Sequence, residues 1–127
     1  MSGLPTFMDV FGFHLEHADE QGAVVRMEVP ATLMSPFGQV HGGVIAALFD
    51  TGLAVAIARR LGGGDRLATH NLNVSYVAFT REQRLFCRSR VLSVRRSVAV
   101  AEGEVTSAAG DLIAKAVGTF GVRRHPA

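Results

Sequence analysis

The stretch that decides the fold is residues 41–64, HGGVIAALFDTGLAVAIARRLGGG. Ala and Leu dominate it, Gly42-Gly43 opens it and Gly62-Gly63-Gly64 stops it. About twenty residues is long for a strand and ordinary for a helix, so the pattern predicts one helix from His41 to Leu61. The segment is apolar nearly all round, which predicts a buried helix rather than one lying on a surface. A single charge interrupts it. Asp50, among Ala47, Leu48, Phe49 and Leu53, is the only charged residue between Glu28 and Arg59.

Working outward, the flanks read mainly as strands. A short helical piece, Leu4 to Val10, precedes an extended Phe13-His14-Leu15, which runs to a turn at Asp19-Glu20-Gln21-Gly22. Ala23 to Val29 alternates over its second half, with Arg26 and Glu28 opposed to Val25, Met27 and Val29, until Pro30 ends it. A loop through Ser35-Pro36-Phe37-Gly38 leads into the helix. Beyond it, Ala68 to Ala78 sets Thr69, Asn71, Asn73 and Ser75 against His70, Leu72, Val74 and Tyr76. Leu85 to Val94, Ser97 to Thr106 and Leu112 to Val122 are further strands, with turns at Arg95-Arg96 and Ser107 to Asp111. Short connections make the pairing antiparallel. The expected fold is α+β: a single domain over 1–127, core about 11–122, with five to six strands wrapped round one long central helix.

Composition bounds the function. The 127 residues are 48% hydrophobic and 19% charged, with a mean hydropathy of +0.25, whereas an average domain carries about 25% charged residues. That excludes intrinsic disorder, and no uncharged apolar run of about 18 residues exists to span a bilayer. Thirteen basic against eleven acidic residues give only +2, and no Lys/Arg run exceeds two residues. Basic stripes and stacking platforms for nucleic acid are therefore lacking. The single Cys87 forms no internal disulfide and no Cys-rich metal site. MSGLPTFMDV lacks the charged start and long apolar core of a signal peptide, so cytoplasm is the expected location.

Asp50 is the strongest candidate for chemistry, because a buried carboxylate costs several kcal/mol unless it is paired or hydrogen-bonded. His41-Gly42-Gly43 is the second. The first amides of a helix lack internal acceptors and carry partial positive charge, and glycines let a substrate approach them closely. Such a helix start can stabilise an oxyanion. Positions 41 and 50 on one helix are separated by roughly 13 Å, too far for both to touch one ester or thioester carbon. If both act on one substrate, Asp50 and the helix start come from two copies of the chain across a two-fold interface.

The string Val40-His41-Gly42-Gly43-Val44-Ile45-Ala46-Ala47-Leu48-Phe49-Asp50-Thr51 resembles the hotdog-fold acyl-CoA thioesterases of the 4-hydroxybenzoyl-CoA thioesterase superfamily, most of all the phenylacetic acid degradation type. The likeness runs from about Phe11 to Val122 and takes in Thr69 to Tyr76 and Gly110 to Phe120. The resemblance implies that Asp50 is nucleophile or general base, that the Gly42 amide polarises the thioester carbonyl from the partner subunit, and that His41 supports or orients it. It also implies that Thr69 helps hold the attacking water. Ser35 stands where members commonly carry Asn, and it can still hydrogen-bond but reaches less far. The implied assembly is a homodimer with shared active sites, associating as a dimer of dimers. The implied substrate is an acyl-CoA, with coenzyme A part of the substrate and no cofactor or metal. The aromatic and aliphatic candidates for the pocket walls are compatible with an aryl or a medium-chain acyl group, and an acyl carrier protein in place of CoA stays open.

Gly43, Phe37, Val44, Phe49 and Phe79 are the expected substrate contacts and pocket walls. Arg95-Arg96-Ser97 reads first as a solvated turn and otherwise as a contact for CoA phosphates, with Arg81 and Arg84 weaker candidates. His14 and His17 lie three apart on a strand, which puts them on opposite faces and argues against a ligand pair. His70 falls on the apolar face of its strand and reads as a core histidine. Cys87 reads as structural, and Gly62-Gly63-Gly64-Asp65 as a helix stop without the terminal Lys of a phosphate loop. The alternative reading is a non-catalytic acyl-CoA-binding sensor or accessory protein. A dehydratase would want an Asp/His pair within reach, and none is evident.

Overall fold

The structure is a computed structural model, and it describes residues 7–126. A short helix α1 (Phe7–Phe11) precedes β1 (Phe13–Ala18) and β2 (Gly22–Glu28). A 3-10 turn (Ala31–Leu33) leads to the long helix α2 (Gly42–Ala58). Then come β3 (Arg66–Tyr76), β4 (Arg84–Val94), β5 (Val98–Ser107) and β6 (Leu112–Arg123). All the strands join one sheet in the order β1-β2-β4-β5-β6-β3, every neighbouring pair antiparallel. The N-terminal helical piece expected from Leu4 begins at Phe7 in the described residues, and positions 4–6 lie outside them.

Apolar alternation decides which side of the sheet faces α2. Val25, Cys87, Val105 and Ala114 lie opposite one another in a row across β2, β4, β5 and β6, and all four are fully buried beneath the helix. Small residues on this face let α2 approach closely. A Cβ on Gly52 would lie 2.7 Å from the Cys87 Sγ. The Leu53 side chain enters the space left by two glycines, its methyls 3.1 Å and 2.9 Å from where Cβ atoms on Gly103 and Gly118 would stand. Leu53, Leu48, Phe49, Ala56 and Ile57 are fully buried, and each large aliphatic or aromatic group contributes about 1.5–3 kcal/mol of hydrophobic stabilisation.

The helix is not sealed on every side. Ala47, Asp50, Thr51, Ala54 and Val55 are half-buried and Ala58 is exposed, so the expectation of a helix without an open face does not hold within one chain. Most of these residues recur at intervals of three or four along α2 and form a stripe turned away from the sheet. The helix ends at Ala58, three residues before the expected Leu61, and the glycine run follows it. Gly64 takes φ 91°, open to glycine, and the Gly62 amide donates to Asp65 Oδ2 at 2.9 Å. Two backbone amides, of His125 first and then Gly62, hold the Asp65 carboxyl below its ordinary range, with Arg124 adding to them.

Candidate active site

The start of α2 is built by its own side chain. His41 is the N-cap in extended conformation, and its Nδ1 accepts from the Gly43 amide at 2.9 Å. Its carbonyl accepts from the Val44 amide at 2.9 Å. Between them the Gly42 N–H has no acceptor among the described residues, which leaves it open to a ligand oxygen. The preceding loop folds over this helix end. Ser35 N–H donates to the Gln39 carbonyl at 2.6 Å, and Ser35 Oγ accepts from the Phe37 and Gln39 amides, each at 3.3 Å. Ser35 therefore shapes the turn. It also lines, with Phe37, His41, Gly42, Tyr76 and Phe79, a hollow of about 390 Å³. Phe37 and Phe79 stand 78% and 85% exposed on its rim.

Asp50 lies farther along the helix and opens into a different concavity. It is half-buried, not buried as the sequence suggests, and its Oδ1 accepts from the Thr69 hydroxyl at 2.6 Å. Its groove, about 670 Å³, runs along the open stripe of α2 past Thr51, Ala54 and Ala58 to Leu67 and Asp65. Within one chain, the free amide and the carboxylate do not share a cavity.

Thr69 reaches Asp50 through a break in strand register. Along β3, Tyr76, Val74 and Leu72 lie opposite the inward residues Ala114, Ala116 and Gly118 of β6, while Thr69 lies opposite inward Phe120. The shift between Thr69 and Asn71 makes His70 a bulge and turns Thr69 onto the helix side, where simple alternation sets it on the opposite one. His70 in turn is exposed, not a core histidine. Its ring occupies the space a side chain on Gly121 would need, with Nε2 2.4 Å from that Cβ position.

Several other expectations are relocated. Val44 and Phe49, expected as pocket walls, are buried in the core under α2. Arg95, Arg96 and Ser97 are exposed on the β4–β5 hairpin, apart from both concavities that hold Asp50 and Gly42. Arg124 braces this hairpin through the carbonyls of Arg95 at 2.7 Å and Arg96 at 3.1 Å. Arg81 donates to the Phe37 carbonyl at 3.2 Å, and Arg84 pairs with Glu28. His14 and His17 lie opposite Arg26 and Val24 because β1 bulges between Leu15 and His17. They therefore share a face, contrary to simple alternation, and His17 is bonded to Asp19 at 3.1 Å. Among the described residues, no group of three or more His, Cys, Asp or Glu is placed to hold a metal ion. Cys87 is buried as expected, and desolvation pushes its thiol up to about 12. The sequence reading missed Tyr76, whose hydroxyl donates to the Gly42 carbonyl at 2.6 Å. Its inward position with Leu72 and Val74 is the signal that was available.

A six-stranded antiparallel sheet around one long helix is the architecture of the hotdog-fold thioesterases. The chain belongs to the thioesterase superfamily, whose family model matches residues 37–114, and it is accordingly a thioester hydrolase. It is 21% identical over 116 residues to a 1,4-dihydroxy-2-naphthoyl-CoA hydrolase of Listeria monocytogenes, covering 91% of this chain and 94% of that one. A thioesterase from Haemophilus influenzae superposes with a TM-score of 0.86 at 22% identity, over 92% of this chain and 82% of that one. A Bacillus halodurans protein solved with CoA gives a TM-score of 0.75 at 29% identity, over 79% of this chain and 66% of that one.

Proposed function

We propose that the chain hydrolyses an acyl-CoA, of the aryl or medium-chain aliphatic class, to the free acid and CoA. Asp50 acts as nucleophile or general base, and the Gly42 amide of a second copy receives the thioester oxygen. The observation that carries this reading is the separation within one chain between a carboxylate held by Thr69 and an unused helix amide. A second copy can bring them together. β3 is an edge strand with one side unpaired, and such an edge is a ready surface for pairing across a two-fold axis. The exposed Phe37 and Phe79 beside the helix start suit either the acyl group or a covering subunit.

In the general-base route, Asp50 takes a proton from water as the oxygen attacks the thioester carbon. The carbonyl oxygen gains negative charge against the Gly42 N–H, and collapse of the adduct breaks the C–S bond. The leaving sulfur takes up a proton. In the nucleophilic route, the carboxylate attacks the thioester carbon, the C–S bond breaks and the CoA sulfur leaves and takes up a proton. Water then hydrolyses the mixed anhydride to the free acid and the regenerated Asp50 carboxylate. Oriented donors such as the Gly42 amide are worth about 10²–10³ in rate.

Release of free thiol from a panel of aryl- and alkyl-CoAs tests this reading, with Asp50→Ala as the comparison and sedimentation to read the assembly. Turnover in the parent, its loss in Asp50→Ala and a dimer or a dimer of dimers are the expected results. A stable monomer at working concentration overturns the shared site. Tight acyl-CoA binding with no thiol release in the parent identifies a binding protein instead.

A further inference from the structure

The turn that carries the free Gly42 amide begins with two consecutive glycines. Glycine holds helical backbone least firmly, at a cost of about 0.5–1 kcal/mol per residue relative to alanine. A donor aimed at a developing charge needs the opposite quality, because its value lies in being fixed before the reaction. Two side chains supply the missing constraint. The Tyr76 hydroxyl donates to the Gly42 carbonyl at 2.6 Å, and His41 Nδ1 accepts from the Gly43 amide at 2.9 Å. That carbonyl and that N–H are the two ends of one peptide unit, so the plane between Gly42 and Gly43 is held from both sides. The Tyr76 ring also lies 3.4 Å from where a Cβ on Gly42 would stand.

We propose that Tyr76 is a positioning residue for thioester hydrolysis: it fixes the Gly42–Gly43 peptide and, through it, the direction in which the Gly42 N–H points. The inference rests on the function proposed above. Withdrawing electron density at the Gly42 carbonyl also strengthens the N–H at the other end of the same peptide unit, because hydrogen bonds in a chain polarise one another. The bond from the Gly43 amide to His41 Nδ1 gains by this, and an accepting Nδ1 leaves the hydrogen of the neutral ring on Nε2. A purely structural account explains the ring but not the hydroxyl. Within one chain Tyr76 is 52% exposed, so packing of that chain does not by itself require the hydroxyl to meet the Gly42 carbonyl, and a hydrogen bond so placed adds little to the chain's own stability.

Tyr76→Phe keeps the ring and removes the bond. The experiment measures thiol release from the best acyl-CoA substrate, together with amide hydrogen exchange across residues 40–46 and the thermal midpoint. The expected result is a kcat lower by about tenfold with KM changed less than about twofold. Exchange at Gly42 and Gly43 becomes faster while the midpoint stays with the parent. A Tyr76→Phe enzyme with parental kcat overturns the inference while the proposed function stands. So does a fall in kcat without faster exchange at the two glycines. A parent that releases no thiol from any substrate overturns the proposed function, and this inference with it.

Discussion

The Thr69 hydroxyl and the Asp50 carboxylate meet at 2.6 Å, joining the edge strand to the middle of the central helix. The bond occupies one carboxylate oxygen and leaves the other for a water or a substrate carbon. Thr69→Val keeps the shape and removes the donor. A hydrogen bond to a charged group is worth about 1.5–3 kcal/mol, so kcat for acyl-CoA hydrolysis is expected to fall by roughly ten- to a hundredfold. Asp50→Asn keeps volume and the Thr69 contact but removes the charge, and its loss is expected to reach about 10²–10⁴. Steady-state kinetics on the two variants checks the order. An Asp50→Asn enzyme faster than Thr69→Val contradicts the assignment of the chemistry to the carboxylate.

The bulge at His70 gives a sharper test of register. With His70 present as an extra residue, Thr69 lies opposite inward Phe120 and Asn71 opposite Thr119. Removing His70 makes the strand regular, yet Thr69 and Leu72 both stay on the helix side, because one outward residue, Asn71, then separates them. The His70 deletion is therefore expected to retain turnover within about tenfold of the parent, although His70 neighbours the site in sequence. A deletion as damaging as Thr69→Val shows that the bulge itself, rather than the face Thr69 occupies, is what the site needs.

The elements that could be read from sequence are those with clear boundaries. α2 is bounded by glycines at both ends, and β4, β5 and β6 lie between turn residues, so their limits fall within a residue or two of expectation even though β4 and β6 have register shifts of their own. Bulges leave the limits of a strand alone but defeat the assignment of its faces. Nothing in His70 or Glu16 marks an extra residue, so simple alternation puts Thr69 and His70 on the wrong faces and separates His14 from His17. The open stripe of α2 was hidden for another reason. Alanine serves equally in a core and along a groove, and only the sheet's position decides which of Ala47, Ala54 and Ala58 stays uncovered. Asp50 stood out because its charge broke a long apolar run, whereas Tyr76 ended an alternating strand and looked ordinary.

Cys87 yields a prediction about pH. Its thiol is pushed by burial from an ordinary 9.0 up to about 12. The fold favours the protonated form, so this contribution to stability is full below about 9 and is lost as pH climbs toward 12. Only the thiolate reacts with disulfide reagents. The native protein at pH 8 is expected to show no reactive thiol on the timescale of a CoA-release assay, and one equivalent after denaturation. Rapid labelling of the folded chain contradicts this burial.

The contact between Gly52 and Cys87 fixes how closely α2 rests on the sheet. A Cβ at position 52 would lie 2.7 Å from Sγ and 3.3 Å from Cβ of Cys87, and both residues are buried. Two effects of Gly52→Ala oppose each other. Alanine is better than glycine in a helix interior by about 0.8–1.0 kcal/mol, while overpacking a filled core costs about 1–3 kcal/mol. The overpacking term is expected to win, because Ser89 also holds the Gly52 carbonyl at 3.2 Å and resists a shift of the helix. Gly52→Ala should therefore lower the urea midpoint. Cys87→Ala removes the sulfur that causes the clash, so the double variant Gly52→Ala/Cys87→Ala is expected to be more stable than the sum of the two single changes. Urea titrations of the four proteins give the coupling directly. Simple additivity would mean that α2 moves away from the sheet at no cost, and that the Gly52–Cys87 contact does not set its depth.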